Sequence, residues 1–320
     1  MATKPLKYSR PSSRVIHLSS LGIIRLSVVL LTLAAMVVSD FAQSGKGTAA
    51  GRRTVSLNVI AHAPAGKQVS KEDFDLYDGG VPQEVESFSR LDSGTRLVLL
   101  VDSSSNLKAE AGALQKAMES IINELYQDDQ MMVVFYNEQA EIIEDMTPDL
   151  KKLLATPTKL IRKGFPKLFD ALVAVADSIS GQASTGNEKR AIVLISDGYD
   201  SESKTKFDEA LRVLQEGNIV LYAVQIPDRT RGALLRDRPK PPAALEQLTV
   251  GTGGAICAFD KASEAAKTIA DDLRTNWYRL VYSPSGINTI NMRRLLLMSH
   301  SKNIELRTKG SHPPKYHTPY

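Results

Sequence analysis

The spacing of apolar residues along this chain changes period twice. From Thr54, the residues Val55, Leu57 and Val59 alternate with polar neighbours, which is the two-residue period of a half-buried strand. Pro64-Ala65-Gly66-Lys67 predicts a turn. Phe74, Leu76 and Tyr77 lead into a tight Asp78-Gly79-Gly80 turn, and Val85 and Phe88 continue in a second alternating strand. Together these residues make a small β unit, too short to enclose a large core alone.

From Arg96 the pattern switches to solid apolar runs separated by stretches whose apolar positions step by three and four. The runs predict strands at 97–102, 131–135, 191–196, 219–224 and 255–259, with a thinner edge strand from Glu138 to Met146. The first predicted helix carries Leu107, Ala111, Leu114, Met118, Ile121, Ile122 and Leu125 on one face. Further helices are predicted over Lys167 to Ile179, Lys206–Gln215, Ala243–Thr249 and Ser263 to Arg274. Such alternation implies an α/β class, a doubly wound and mainly parallel sheet with its first strand near the centre. Arg229 to Pro242, rich in arginine and proline, is expected to be a surface loop.

After Trp277 the two-residue period returns at Tyr278–Tyr282, Arg294–Met298 and Ile304–Leu306. The two β pieces flank the α/β core, so they are expected to pair and form a small β-sandwich into which the α/β domain is inserted. The organisation reads as a β segment at 54–94, an α/β domain at 95–277, a β segment at 278–310 and a polar tail at 311–320.

The N-terminus changes the picture of charge and location. Lys4, Lys7, Arg10, Arg14 and Arg25 precede an apolar run from Leu26 to Val38, shorter than a bilayer span. Residues 1–39 therefore read as a signal peptide, with cleavage near Ser39 or Ala42, and an uncleaved anchor is the competing reading. Residues 40–53, rich in Gly, Ser and Ala, read as a flexible linker. Five of the 40 basic residues lie in the leader and none of the 36 acidic ones, so the remainder has 35 basic residues and a net charge of −1. That balance argues against a nucleic-acid partner. The expected location is periplasm, cell envelope or secreted, with membrane contact only through an uncleaved leader. Cys257 cannot form an internal disulfide and reads as a small core hydrophobe in a buried strand. Arg293, Arg294, Lys302, Arg307, Lys309 and Lys315 read as a solvated β edge guarded against aggregation.

Two of the apolar runs carry candidate chemistry at their ends. Arg96-Leu97-Val98-Leu99-Leu100-Val101-Asp102 is followed by Ser103-Ser104-Ser105-Asn106, and Ala191-Ile192-Val193-Leu194-Ile195-Ser196 by Asp197-Gly198. Strand tips of an open parallel sheet are where ligands bind. Asp102, Ser104 and Asn106 alternate along an extended loop, and Asp197 comes from another tip, so their oxygens could serve octahedral Mg²⁺ with water. Gly251-Thr252-Gly253-Gly254 follows a helix and enters a strand, the reverse of a dinucleotide-binding context. The five histidines do not cluster, and Ser104 has no base partner visible in the sequence, which decides against a hydrolase using Asp102 and Ser104.

The Asp102-Ser103-Ser104-Ser105-Asn106 segment, the later Ser196-Asp197-Gly198 and the order between them resemble the von Willebrand factor type A domain, with a Rossmann-like fold. The flanks from Ser70 to Val85, from Tyr278 to Tyr282 and from Ile304 to Gly310 are similar to a bacterial subgroup of that family. The resemblance implies protein–protein interaction or adhesion without catalysis, through a metal-ion-dependent site read as Asp-x-Ser-x-Ser, a later threonine and a later aspartate. Asp102, Ser104 and Asp197 match it, and Asn106 stands where the second serine should be. The threonine loop reads Lys163-Gly164-Phe165-Pro166-Lys167, so Pro166 brings no side-chain oxygen as a ligand and Lys167 adds a repelling charge. The expectation is a degenerate site with weak or absent Mg²⁺ and an unidentified protein partner. The alternative is a structural envelope protein with metal-independent partner contact. In it Asp102 and Asp197 are loop-capping acids, bonded to backbone amides or to Lys167.

Overall fold

A computed structural model of the chain describes residues 54–180, 188–233 and 238–313. The leader, its cleavage site and the linker fall outside the described residues. In chain order the strands are β1 (Val55–His62), β2 (Phe74–Asp78), β3 (Val81–Gln83), β4 (Val85–Arg90), β5 (Thr95–Asp102), β6 (Gln130–Tyr136), β7 (Ala140–Thr147), β8 (Lys189–Ser196), β9 (Val220–Gln225), β10 (Ile256–Ala258), β11 (Trp277–Tyr282), β12 (Arg293–Ser299), β13 (Glu305–Thr308) and β14 (Ser311–His312). The helices are α1 (Ala111–Ile122), α2 (Leu150–Leu154), α3 (Leu168–Ser180), α4 (Phe207–Glu216), α5 (Pro241–Thr252) and α6 (Ala262–Arg274).

Six strands form the central sheet in the order β10-β9-β8-β5-β6-β7, with every pair parallel except β6–β7. Both faces are covered. Leu97, Leu99 and Val101 point into one apolar layer with α1 and α6, while Val98 and Leu100 point into the other with α3, α4 and α5. Two-sided burial is why these strands are solid apolar runs rather than alternating ones. As expected, β5 lies inside the sheet and β7 at its edge.

The flanking segments pair as their shared period suggests. One antiparallel sheet runs β13-β1-β11-β4 and another β14-β12-β2-β3. Val55, Leu57, Val59, Phe74, Leu76, Leu280, Tyr282 and Leu295 share one core between them. Phe88 stacks on Tyr278 at 4.7 Å and meets Phe74 edge-on at 5.0 Å. The chain leaves this layer after β4 and returns through β11, so the α/β domain is inserted in it.

Three expectations need correction, and one helix adds to them. Leu107 is buried but precedes α1, which starts only at Ala111. The short helix α2 was not anticipated; Asp149 caps it by accepting from the amides of Lys151 and Lys152 at 3.0 and 3.3 Å. Cys257 is half-buried, because β10 is a short edge strand of the central sheet. The basic residues near the C-terminus are not a solvated edge as a group. Arg293 is buried and donates to Asp78, which also accepts from the Tyr282 hydroxyl at 2.8 Å, so an ion pair sits inside the sandwich. Lys309 is buried too, donating to the Gln215 carbonyl at 2.9 Å and to Asn218 at 2.7 Å, and burial lowers its pKa to about 8. Arg307 pairs with buried Asp272 at 2.6 Å. Arg294 and Lys302 are exposed, and Lys315 lies outside the described residues.

Gly253 ends α5 with φ +85°, and a Cβ on Gly254 would lie 1.8 Å from the Leu221 carbonyl oxygen. This glycine run is a helix stop followed by close passage over β9. Gly254→Ala should therefore destabilise the fold by about 3 kcal/mol in urea unfolding, the upper part of the overpacking range. Gly112→Ala, inside α1 with nothing within 4 Å, should be neutral or stabilising by up to about 1 kcal/mol.

His62 supplies a pH test. Its Nε2 lies 2.7 Å from Asp272, whose hydrogen bond raises the imidazole pKa above its ordinary value against partial burial and Arg307. A raised folded-state pKa stabilises fully below the unfolded value, about 6.5, and that stability is lost as pH rises through the folded value. Wild-type stability should thus fall more than that of His62→Gln between about pH 5.5 and 8.5. Parallel urea curves for the two proteins across that range would refute the coupling.

Candidate functional site

β5 and β8 are parallel neighbours, so their C-terminal tips meet at one edge of the sheet and set Asp102 and Asp197 together. Both carboxylates are fully buried. Asp102 Oδ1 accepts from the Ser104 amide at 2.8 Å and from its hydroxyl at 2.5 Å. Asp197 Oδ1 accepts from the Tyr199 amide at 3.1 Å. Between them Gly198 has φ +81°, and a Cβ there would lie 2.3 Å from the Pro241 carbonyl oxygen, so the turn after Asp197 needs glycine. Ser196 Oγ accepts from the Tyr136 hydroxyl at 2.8 Å and from the Gly198 amide at 3.0 Å. Burial, with Asp102 nearby, pushes the Tyr136 phenol well above its ordinary range.

A guanidinium bridges the two acids. Arg229 Nη2 donates to Asp102 Oδ2 at 2.6 Å and to Asp197 Oδ1 at 3.0 Å. Its Nε donates to Asp197 Oδ2 at 2.6 Å, and Nη1 to Ser104 Oγ at 2.7 Å. The Arg229 amide adds a bond to Asp197 at 3.1 Å. The guanidinium carbon lies 5.3 Å from the centre of the Tyr199 ring, and the side chain is only 9% exposed. Burial raises the Asp102 carboxyl above the usual carboxylate range, opposed by Arg229 and by the two bonds from Ser104.

Local structure brings Arg229 there. Just past β9, the Ile226 amide bonds to the Ser196 carbonyl at 2.9 Å, carrying the chain across the tip of β8. Asp228 then folds the next turn by accepting from the amides of Thr230 and Gly232 at 2.7 and 2.9 Å. The stretch expected to be a surface loop is therefore tied down at Arg229. It is tied again at Arg238, which pairs with buried Asp200 at 2.7 Å.

The structure brings Asp102, Ser104 and Asp197 together and leaves Asn106 exposed on the loop. Pro166 contributes a backbone carbonyl, which accepts from the Ser201 amide at 2.7 Å. Backbone amides do bond to the acids, but the cation on them is Arg229 and not Lys167. Ser104 Oγ donates to Asp102 and accepts from Arg229, an arrangement without the base a nucleophilic serine needs.

These residues do not fit a divalent cation. The oxygens such an ion would need already accept from guanidinium nitrogens at 2.6–2.7 Å, and Pro166 adds no side-chain oxygen. Among the described residues no group of three or more His, Cys, Asp or Glu could hold a metal. Sequence reasoning missed Arg229. Its signal was a cation four residues beyond a strand, and that signal becomes meaningful only once β9 is known to lie beside β8.

The von Willebrand factor type A domain family matches residues 97–272, more than half of the chain. No curated protein matches. Among solved structures, the chain is similar to an aerotolerance-related membrane protein from Bacteroides fragilis at 18% identity, covering 56% of this chain and 98% of that one, with a TM-score of 0.44. A von Willebrand factor type A protein from Catenulispora acidiphila is 13% identical, covering 75% of this chain and 72% of that one, with a TM-score of 0.46. A manganese-loaded TRAP protein from Plasmodium vivax is 13% identical, covering 74% and 98%, with a TM-score of 0.45.

Removing the guanidinium would leave two buried carboxylates facing each other. Arg229→Met should cost about 3–5 kcal/mol in urea unfolding, the range for a broken buried ion pair. Adding Asp102→Asn and Asp197→Asn to Arg229→Met should recover a substantial part of that loss. A triple variant no more stable than the single one would show that the charge is not what Arg229 compensates.

Proposed function

Because the chain belongs to the von Willebrand factor type A domain family, we propose that it is an exported protein-interaction module whose recognition face does not depend on a divalent cation. Domains of this family are interaction and adhesion modules, generally not enzymes, and they often hold Mg²⁺ or Mn²⁺. The face in question is the C-terminal edge of the central sheet, where the loops after β5, β8 and β9 converge.

The bridge from Arg229 to Asp102, Ser104 and Asp197 carries this reading. In a metal-dependent site the ion neutralises the acids and holds the loops. Arg229 supplies both services as a resident side chain, through hydrogen bonds from the planar fork that suits carboxylates. Of the two roles the sequence raises, metal-dependent adhesion and metal-independent partner contact, the guanidinium favours the second. Export rests on the basic, apolar leader.

Expression in a bacterial host should yield a mature chain beginning near Ser39 or Ala42. Its thermal midpoint should stay within about 1 °C in Mg²⁺, Mn²⁺ or chelator, since a ligand stabilises only by binding the folded state. Micromolar Mg²⁺ binding by calorimetry would restore the metal-dependent reading, and recovery of only full-length, membrane-embedded protein would favour a signal anchor.

A further inference from the structure

The centre of this face is closed. The Arg229 donors are bonded to Asp102, Ser104 and Asp197, and Tyr199 stacks on the guanidinium. A partner therefore has no vacant position to fill there, and contact must move to the rim.

The loop running into α3 has the features of such a contact. Ile161 is 70% exposed and Phe165 58%, while Leu160 and Pro166 beside them are buried. Its backbone is fixed from several sides. The Lys163 amide donates to the Ser103 carbonyl at 2.9 Å, the Ser105 amide to Gly164 at 3.0 Å, the Ser201 amide to Pro166 at 2.7 Å and the Lys167 amide to Asn137 at 2.8 Å. Arg162 reaches back to the carbonyls of Ser104, Ser105, Leu107 and Ala109 at 3.3, 2.8, 2.5 and 2.7 Å. Gly164, at φ +63°, allows the turn between the two apolar side chains. A rigid loop holding large apolar groups in water loses little conformational freedom on binding, and such groups are the usual anchors of an interface.

Charge selects the partner. The bonds of Arg162 go to backbone carbonyls, and among the described residues no ion pair to a carboxylate joins them. Exposed Lys163 lies on the same loop, with half-buried Lys167, whose charge is partly answered by Asp170. On the neighbouring loop Lys108 is exposed, donating to the Asp228 carbonyl at 2.6 Å, and the Asp228 carboxylate partly answers its charge. Glu138 packs against Gly164 and brings one negative charge to the same loop. Asp102 and Asp197 are buried beneath Arg229.

We propose that Ile161 to Lys167 is the recognition element of this face and takes a protein segment whose apolar side chains are flanked by carboxylates. The proposal rests on the interaction-module reading. It assigns the contact to two apolar anchors and a cationic rim rather than to the strand-tip acids.

The test uses the whole exported chain and a fluorescent peptide with a central Leu-Phe flanked by glutamates. Its controls are a lysine-flanked twin and a twin with Ser-Ser at the centre. By anisotropy at physiological salt, the glutamate peptide should bind at least about tenfold more tightly than either twin. Ile161→Ser with Phe165→Ala should weaken it about tenfold or more, equivalent to about 1.4 kcal/mol. Lys163→Glu, at an exposed position, should weaken it severalfold without moving the melting midpoint, and it remains decisive if the double variant does not fold. Leu296→Ser with Met298→Ser, on the exposed face of β12, should change nothing. The proposal is overturned if the glutamate peptide does not bind, if the lysine twin binds equally, or if the loop variants bind as wild type. Loss of binding in the β12 variant instead would relocate the contact and leave the interaction-module reading standing. Failure of the metal-independent reading would show separately, in the melts with Mg²⁺ and chelator.

Discussion

Two carboxylates, Asp102 and Asp197, lie fully buried at the tips of adjacent strands, and the structure of this face depends on the one guanidinium that compensates them. Like charges this close, and out of water, repel each other strongly and lose their hydration. Arg229 meets both with short charge-assisted bonds and takes Ser104 into the same fork. The turn at Asp197-Gly198, the serine loop after β5 and the segment after β9 are thereby fixed against one another. A divalent ion could do the same work only while bound. An arginine in the chain does it at any ion concentration, which makes the face a permanent feature of the fold.

The same device recurs where the inserted domain meets the flanking β layers. Lys309 reaches from beyond β13 to the Gln215 carbonyl at the end of α4, and Arg307 and His62 converge on Asp272 in α6. Inside the sandwich, Arg293 and the Tyr282 hydroxyl satisfy Asp78. Two of these clusters bury a charge with an opposite one, while Lys309 is held by the neutral oxygens of Gln215 and Asn218; a buried charge is tolerated where such partners are present. These contacts also weaken the inference from a basic C-terminal region to an anionic partner: Arg293 and Arg307 are already paired with acids within the chain. Polar bonds of this kind fix how the pieces fit, while the apolar layers on both sides of the central sheet supply the bulk of the stability.

Much of the architecture was legible without coordinates, because secondary structure rests on short-range periodicity. Leu97 to Val101 read as a two-sided strand, and Leu114, Met118, Ile121 and Ile122 as one helix face, because the spacing of apolar residues is itself the constraint. The pairing of the flanks was legible for a related reason, since neither β piece could bury its apolar face alone. Element ends were less so. Leu107 continues the helical spacing of α1 yet lies outside it, and α2 is too short to establish a period of its own. Cys257 sits in an apolar stretch, and only its position on the sheet edge leaves it half-exposed.

Sequence alone determined that one apolar run ends in aspartate, that another leads into one, and that a serine stands two residues after the first; the resemblance added that Pro166 stands where the family has a threonine. Each is a property of neighbouring residues. It did not determine what neutralises those acids. Arg229 is 127 residues from Asp102 and 32 from Asp197, in a segment with no apolar period to place it. Only the order of strands puts the end of β9 beside that of β8 and turns a loop arginine into the resident cation. A charge partner is selected by distance in space, and for residues this far apart that distance is set by the packed sheet and not by the spacing along the chain.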